Sequence, residues 1–309
     1  MAKYLSCGNI MSDMVEHADG TRGAFHLGGP AIFGVEGIRL WEDDCALVCR
    51  AGSDWDGPYG AWLNRHGIGK QTVQVLPEET SRCLIQHRPD GSYFWRPLQG
   101  LEHIARFDLT AQTVLPALTP DVRGVYLYMY PQDPFFRSLR QLRGKAPFKL
   151  MWEFGADRME GVMQPLADIG YADMFSCNAI EAARLFAIPR RQEDALIERL
   201  QALPVEMTFF RVGKKGAYVI TPEEVWFCPS VDAGGPSVDP SGCGNCSTAA
   251  AMYAWTAGFD PAQTAAMACI SSGYNAAQYG VWPHFTPEDR QNAQALLQEL
   301  LKSQVVRIR

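Results

Sequence analysis

The run Val238-Asp239-Pro240-Ser241-Gly242-Cys243-Gly244-Asn245-Cys246-Ser247 is the stretch of this chain best equipped for chemistry. It leads directly into an alanine-rich segment, Ser247 to Trp255, whose small residues read as a helix ending near Gly258. Glycines at 242 and 244 let backbone N–H groups converge without Cβ obstruction. Those donors fall at a helix start, where unpaired amides and the helix dipole both favour an anion. A phosphate or oxyanion cradle is one reading; a Gly-rich loop capping a buried helix fits the loop alone equally well. Asn245 offers an amide that can hydrogen-bond a hydroxyl but has no useful proton affinity, whereas Asp239 offers a carboxylate. Cys243-x-x-Cys246 has the spacing of half a zinc site, yet no second Cys or His pair follows at zinc spacing.

Other candidates lie upstream. Asp13 follows Gly8 by five residues, and an ionised carboxylate accepts two hydroxyl hydrogen bonds; a surface Asp in a loop is the plainer alternative. Gly28-Gly29 precede an apolar run that contains Phe33. Asn178 and Glu181 have the spacing of an N-cap and its N3 partner, an arrangement worth about 1 kcal/mol. Gly213-Lys214-Lys215-Gly216 reads as a turn between two strands, with each lysine either meeting phosphate or facing solvent.

The elements that must position these residues follow from periodicity. Tyr4 to Ile10 reads as a first strand ending at Gly8, and Cys45 to Cys49 as a buried strand. Tyr59, Trp62 and Leu63 form a helical stripe that belongs to the core. From Thr72 to Arg96 the pattern alternates, and Pro89-Asp90-Gly91 predicts a hairpin turn. Tyr93, Phe94 and Trp95 there form either a partner surface or an apolar underside. The second half alternates strands (Val125–Tyr130, Lys149–Phe154, Thr208–Ile220 with its turn) with helices, as a parallel sheet with crossovers requires. Ala265 to Ala277 reads as a small-residue helix and Pro287 to Lys302 as a peripheral amphipathic one. No internal repeat or low-complexity linker is present.

Composition excludes several classes. With 309 residues, 47% of them hydrophobic, the chain can build one large α/β domain. A net charge of −6 argues against a general nucleic-acid binder. No apolar run is long enough to span a bilayer, and Met1 to Cys7 lacks a signal-peptide apolar core. Nine irregularly spaced cysteines suggest reduced thiols, so a cytoplasmic protein is expected.

Asp239-Pro240-Ser241-Gly242-Cys243-Gly244-Asn245 resembles the Asp-Thr-Thr-Gly-Ala-Gly-Asp signature of the ribokinase-like (PfkB-type) carbohydrate kinases. The other motifs follow that family's order from Gly8 to about Asn275. The resemblance implies a three-layer α/β/α sandwich with a mainly parallel central sheet. A small β-sheet lid would be formed by roughly 11–27 and 72–105 of a single domain, 1–309. It implies transfer of the γ-phosphoryl group of ATP to a hydroxyl of a sugar or sugar-like small molecule.

In that scheme the acceptor is held by Asp13, Gly28 and Gly29. Phe33 stands where many sugar kinases have Asn, and would present an apolar or stacking face. Asn245, Gly242, Cys243, Gly244 and Asp239 form the catalytic loop, with Asn245 where the family has its general-base Asp; slow catalysis, a substitute base such as Asp239, and loss of catalysis are the open alternatives. Asn178, Gly213, Gly216 and Asn275 lie on the nucleotide side, Asn275 in the region that walls the adenine. Glu181 organises Mg2+, largely through waters, as suits an ion that keeps much of its hydration shell. A homodimer joined through the lid is implied as well, with no membrane or nucleic-acid partner. Loss of a general base typically costs about 10²–10⁴-fold. The alternative function is therefore a catalytically weak or silent homologue that binds nucleotide or a small ligand.

Overall fold

The computed structural model describes residues 2–16, 20–87, 93–130, 147–155 and 169–309. Its strands are β1 (Tyr4–Cys7), β2 (Met11–Glu16), β3 (Arg22–Gly28), β4 (Cys45–Ala51), β5 (Val73–Val75), β6 (Arg82–His87), β7 (Tyr93–Pro97), β8 (Gly124–Met129), β9 (Lys149–Phe154), β10 (Met174–Asn178), β11 (Met207–Arg211), β12 (Gly216–Ile220), β13 (Val225–Pro229) and β14 (Val306–Arg307). The described helices are α1 (Pro30–Arg39), α2 (Pro58–Arg65), α3 (Leu101–Ala105), α4 (Ala111–Val114), α5 (Ala179–Phe186), α6 (Glu193–Gln201), α7 (Cys243–Thr256), α8 (Pro261–Ala276) and α9 (Pro287–Ser303).

Ten strands form the main sheet in the order β14-β13-β12-β11-β10-β9-β8-β1-β4-β5. From β11 to β5 every pairing is parallel, and the three pairings at the other edge are antiparallel. The parallel strands are apolar on both faces because helices cover both. Tyr4, Tyr126, Met151 and Phe209 face one core layer, built with α1, α2, α7, α8 and α9. Leu5, Leu127, Trp152 and Phe210 face the other, with α4, α5 and α6. Small residues let α1 and α7 cross closely: a Cβ on Gly37 would collide with the carbonyl of Cys246.

After β1 the chain turns one way to β4 and the other way to β8, so the strand order reverses there. In open α/β sheets a crevice outside the carboxyl ends of strands at such a reversal is where ligands bind.

A second, mixed sheet of order β3-β2-β6-β7 stands apart as the lid. In β2, Met11, Asp13 and Val15 share the buried face, so a carboxylate sits on the apolar underside of this sheet. Strands β6 and β7 pair antiparallel as expected, and the turn residues 88–92 lie outside the described residues. One expectation needs correction. Val73–Val75 alternates like a lid strand, but it pairs with β4 as the edge of the main sheet. Residues 101–105, at the other end of the expected lid segment, are helical. Period alone does not say which sheet a short strand joins.

Candidate active site

The glycine-rich loop turns into α7 as the sequence suggests. Gly242 is the N-cap, with a left-handed φ of 80° that favours glycine. The loop is braced from below. A Cβ on Gly242 would run into the ring of Phe33, which is only 2% exposed. Phe33 is thus a floor under the loop and not the substrate face expected of it, because α1 turns its ring into the core.

Asn275, expected at an adenine wall, is fully buried. Its Nδ2 donates to the Ser241 carbonyl at 2.7 Å and lies 3.3 Å from Cys243 Sγ. It too supports the loop. Among the described residues no carbonyl takes the amides of Gly244 or Asn245, whereas the Cys243 amide donates to Pro240 at 3.2 Å. The first turn of α7 therefore keeps free donors for an anion.

Burial pushes Cys243 up to about 11 and raises Cys246 well above an ordinary thiol, which disfavours the reactive thiolate in both. Cys246 Sγ donates to the Ser271 carbonyl. No group of three or more His, Cys, Asp or Glu suited to a metal occurs among the described residues.

Asp239 is 3% exposed, and its Oδ1 accepts from Ser241 N at 3.0 Å and Ser241 Oγ at 2.8 Å. His87, at the end of lid strand β6, places Nε2 3.0 Å from both Asp239 Oδ1 and Ser241 Oγ. That oxygen is committed to the loop and the lid, which weighs against Asp239 as a substitute base. His87 carried no local sequence signal; only the fold brings it across 152 residues to Asp239.

Asp13 reaches toward the same place from β2. A Cβ on Gly28 would overlap its carboxylate, so glycine there is what admits it. Gly29, at φ 96°, caps α1. Asp13 Oδ1 has no hydrogen-bond partner among the described residues, although the carboxyl is buried. Burial, and secondarily the charge of Asp239, push its pKa up to about 8, against the opposing hydrogen bond from the Gly29 amide. A buried carboxyl with a spare oxygen between lid and body is suited to a hydroxyl ligand.

On the other side of the α7 N-terminus, Asn178 and Glu181 close the capping box. Asn178 Oδ1 accepts from Ile180 N at 2.9 Å and Glu181 N at 3.0 Å, and Glu181 Oε2 accepts from Asn178 N at 2.6 Å. Both sequence readings remain compatible, since a carboxylate so fixed offers hard oxygen to Mg2+ in company with waters and phosphates. The turn Gly213–Gly216 lies at the same end of β11. Lys215 is occupied by Glu193 and Tyr218 and is half exposed.

Three residues that sequence reading passed over join these two halves. Tyr126 OH donates to Glu153 Oε2 at 2.6 Å and accepts from Asn245 Nδ2 at 3.1 Å. Arg211 Nη1 lies 2.8 Å from Glu153 Oε1, and its Nη2 lies 3.5 Å from Glu181 Oε2. Strand parity turns Tyr126, Glu153 and Arg211 to the α7 face. Burial, and then Glu153, raise the Tyr126 pKa well above that of an ordinary phenol, so its proton stays on and points to the carboxylate. The available signal was a charged residue inside otherwise apolar strands, Trp152-Glu153-Phe154 and Phe209-Phe210-Arg211.

The chain matches the pfkB family carbohydrate kinase model over residues 8–283. Among curated proteins none matches. Solved structures share the fold. A Burkholderia thailandensis nucleoside kinase in complex with inosine has a TM-score of 0.75 at 18% identity, covering 97% of this chain and 99% of that one. A ribokinase from Cryptococcus neoformans var. grubii serotype A in complex with ADP has a TM-score of 0.72 at 16% identity, covering 97% and 100%. An Arabidopsis thaliana ribokinase complexed with ribose and ATP has a TM-score of 0.71 at 19% identity, covering 96% and 99%. With a family match over most of its length and a ribokinase-like α/β/α fold with a β-lid, the chain belongs to the pfkB family of carbohydrate kinases.

Proposed function

We propose that this protein transfers the γ-phosphoryl group of ATP, with Mg2+, to a hydroxyl of a sugar or nucleoside. The observation that carries the reading is the spare oxygen of buried Asp13, on the underside of the lid and near enough to Asp239 of the loop to feel its charge. Asp13 would hold acceptor hydroxyls. The Gly244 and Asn245 amides would receive the transferring phosphoryl group, where fixed donors are most effective. Asn178 and Glu181 would hold Mg2+ through waters, and the ion would neutralise charge on the phosphates. Phosphoryl transfer rests mainly on positioning and electrostatics, so these parts suffice for turnover without a strong base. The complexes of proteins of this fold with inosine, with ADP, and with ribose and ATP support the same reading.

A second reading, a weak or silent binder, is favoured by one observation: Asn245, which the family resemblance sets at the base position, spends an amide proton on Tyr126. Nine free cysteines, eight of them buried, fit a cytoplasmic enzyme. Among the described residues no helix is long and apolar enough to cross a membrane. Tyr93 and Phe94 are exposed on the lid while Trp95 packs beneath it, which supports a homodimer through the lid.

The test is phosphotransfer from ATP and Mg2+ to ribose, inosine and related alcohols, with ATP binding measured in parallel. Formation of a phosphate ester that is lost in Asp13→Ala supports the kinase. Binding of ATP without transfer to any acceptor moves the silent binder ahead. Absence of both overturns the two readings together.

A further inference from the structure

Arg211 has no role in the function described so far, yet it occupies the centre of the site. It ends β11 opposite Asn178, and its guanidinium lies against the first turn of α7. Gly244 makes that approach possible. A Cβ there would collide with Arg211 Nη1, and Gly244 has ordinary helical backbone, so space and not conformation is what a glycine provides at 244. A cation at a helix N-terminus is electrostatically disfavoured. Glu153 and Glu181 hold it there nonetheless.

Its hydrogen bonding is incomplete. A guanidinium has five N–H donors in a fork. Nη1 meets Glu153 at 2.8 Å, the contact of Nη2 with Glu181 is long at 3.5 Å, and Nε is buried without a partner among the described residues. A purely structural counter-ion for two carboxylates would be expected to pair with both closely. This one leaves Nε unpartnered among the described residues while its guanidinium lies against Gly244, and a planar fork suits phosphate oxygens.

From this we infer that Arg211 contacts the phosphate chain of the bound nucleotide, and that Glu153 serves to aim it. The inference rests on the kinase reading and adds a side-chain contact to its backbone cradle. Glu153 is then a positioning residue, linked through Tyr126 to Asn245.

The experiment is calorimetric binding of ATP, AMP and adenosine, each with Mg2+, to wild type, Arg211→Lys and the charge-balanced Arg211→Gln/Glu153→Gln. The double variant avoids leaving a buried carboxylate unpaired. The expected result is a tenfold or greater loss of ATP affinity in the double variant. Adenosine affinity should change less than threefold, with Arg211→Lys intermediate. A merely structural Arg211 would weaken all three ligands together. Parallel losses, or unchanged ATP affinity, overturn the inference while leaving the kinase reading intact. Failure of wild type to bind any of the three overturns both.

Discussion

Asn245 gives an amide proton to the hydroxyl of Tyr126 across 3.1 Å. The direction of that bond is dictated by the next one, because the single proton of Tyr126 is given to Glu153 at 2.6 Å. Tyr126 can then only accept from position 245, and an ionised carboxylate cannot donate. An amide at 245 is therefore the complement of a carboxylate at 153.

This relationship sharpens what restoring a base should do. Asn245→Asp alone forces Tyr126 to choose between two carboxylates. Asn245→Asp combined with Glu153→Gln transposes acid and amide while keeping each hydrogen bond and the net charge. We expect the double variant to raise phosphotransfer to ribose or inosine at least tenfold over wild type, in line with the contribution of about 10²–10⁴-fold typical of a general base. The single variant should gain less. Steady-state rates decide this, and a single variant equal to or better than the double would refute the hydrogen-bond argument.

His87 bridges lid and body through Asp239 and Ser241. His87→Ala should loosen the lid and raise KM for the acceptor severalfold, leaving ATP affinity within about twofold, since a single hydrogen bond contributes a net of about 0.5–1.5 kcal/mol. Equal loss of acceptor and nucleotide binding would place His87 in the loop's structure instead of in lid closure.

Gly28 admits the Asp13 carboxylate, and a Cβ there would displace it. Gly28→Ala is expected to weaken acceptor binding at least tenfold with nucleotide binding retained. Acceptor affinity matching wild type would show that Asp13 does not hold the acceptor from the position seen.

Two buried carboxyls make stability depend on pH. Burial, reinforced by Asp239, raises Asp13 from 3.8 to about 8, and burial raises Glu36 from 4.5 to about 8 despite the hydrogen bond from Trp282 N. Between those limits the folded chain holds protons that the unfolded chain has released. Their contribution to stability is complete below about pH 4 and is lost as pH rises through about 8. Urea unfolding between pH 5 and 8.5 should show wild-type stability falling with pH, and Asp13→Asn and Glu36→Gln should each flatten that slope. An Asp13→Asn slope parallel to wild type would mean that Asp13 is ionised in the folded chain.

The division between sequence and tertiary structure follows the range of the forces involved. The glycine turn into a helix at Gly242, the capping box of Asn178 and Glu181, and the strand–turn–strand around Gly213–Gly216 were legible because turn chemistry, capping and periodicity act within a few residues. The family order of these motifs carried the sandwich and the lid with them. Sequence could not say that Val73–Val75 joins the main sheet, since a three-residue strand looks the same in either sheet. Nor could it say that Phe33 and Asn275 support the loop instead of facing a ligand, because the direction of a side chain depends on which helix packs over it. The network from Asn245 through Tyr126, Glu153 and Arg211 to Glu181 draws on three strands and two helix starts. Parallel register alone aligns their ends, and so these residues become a site only when the sheet is assembled.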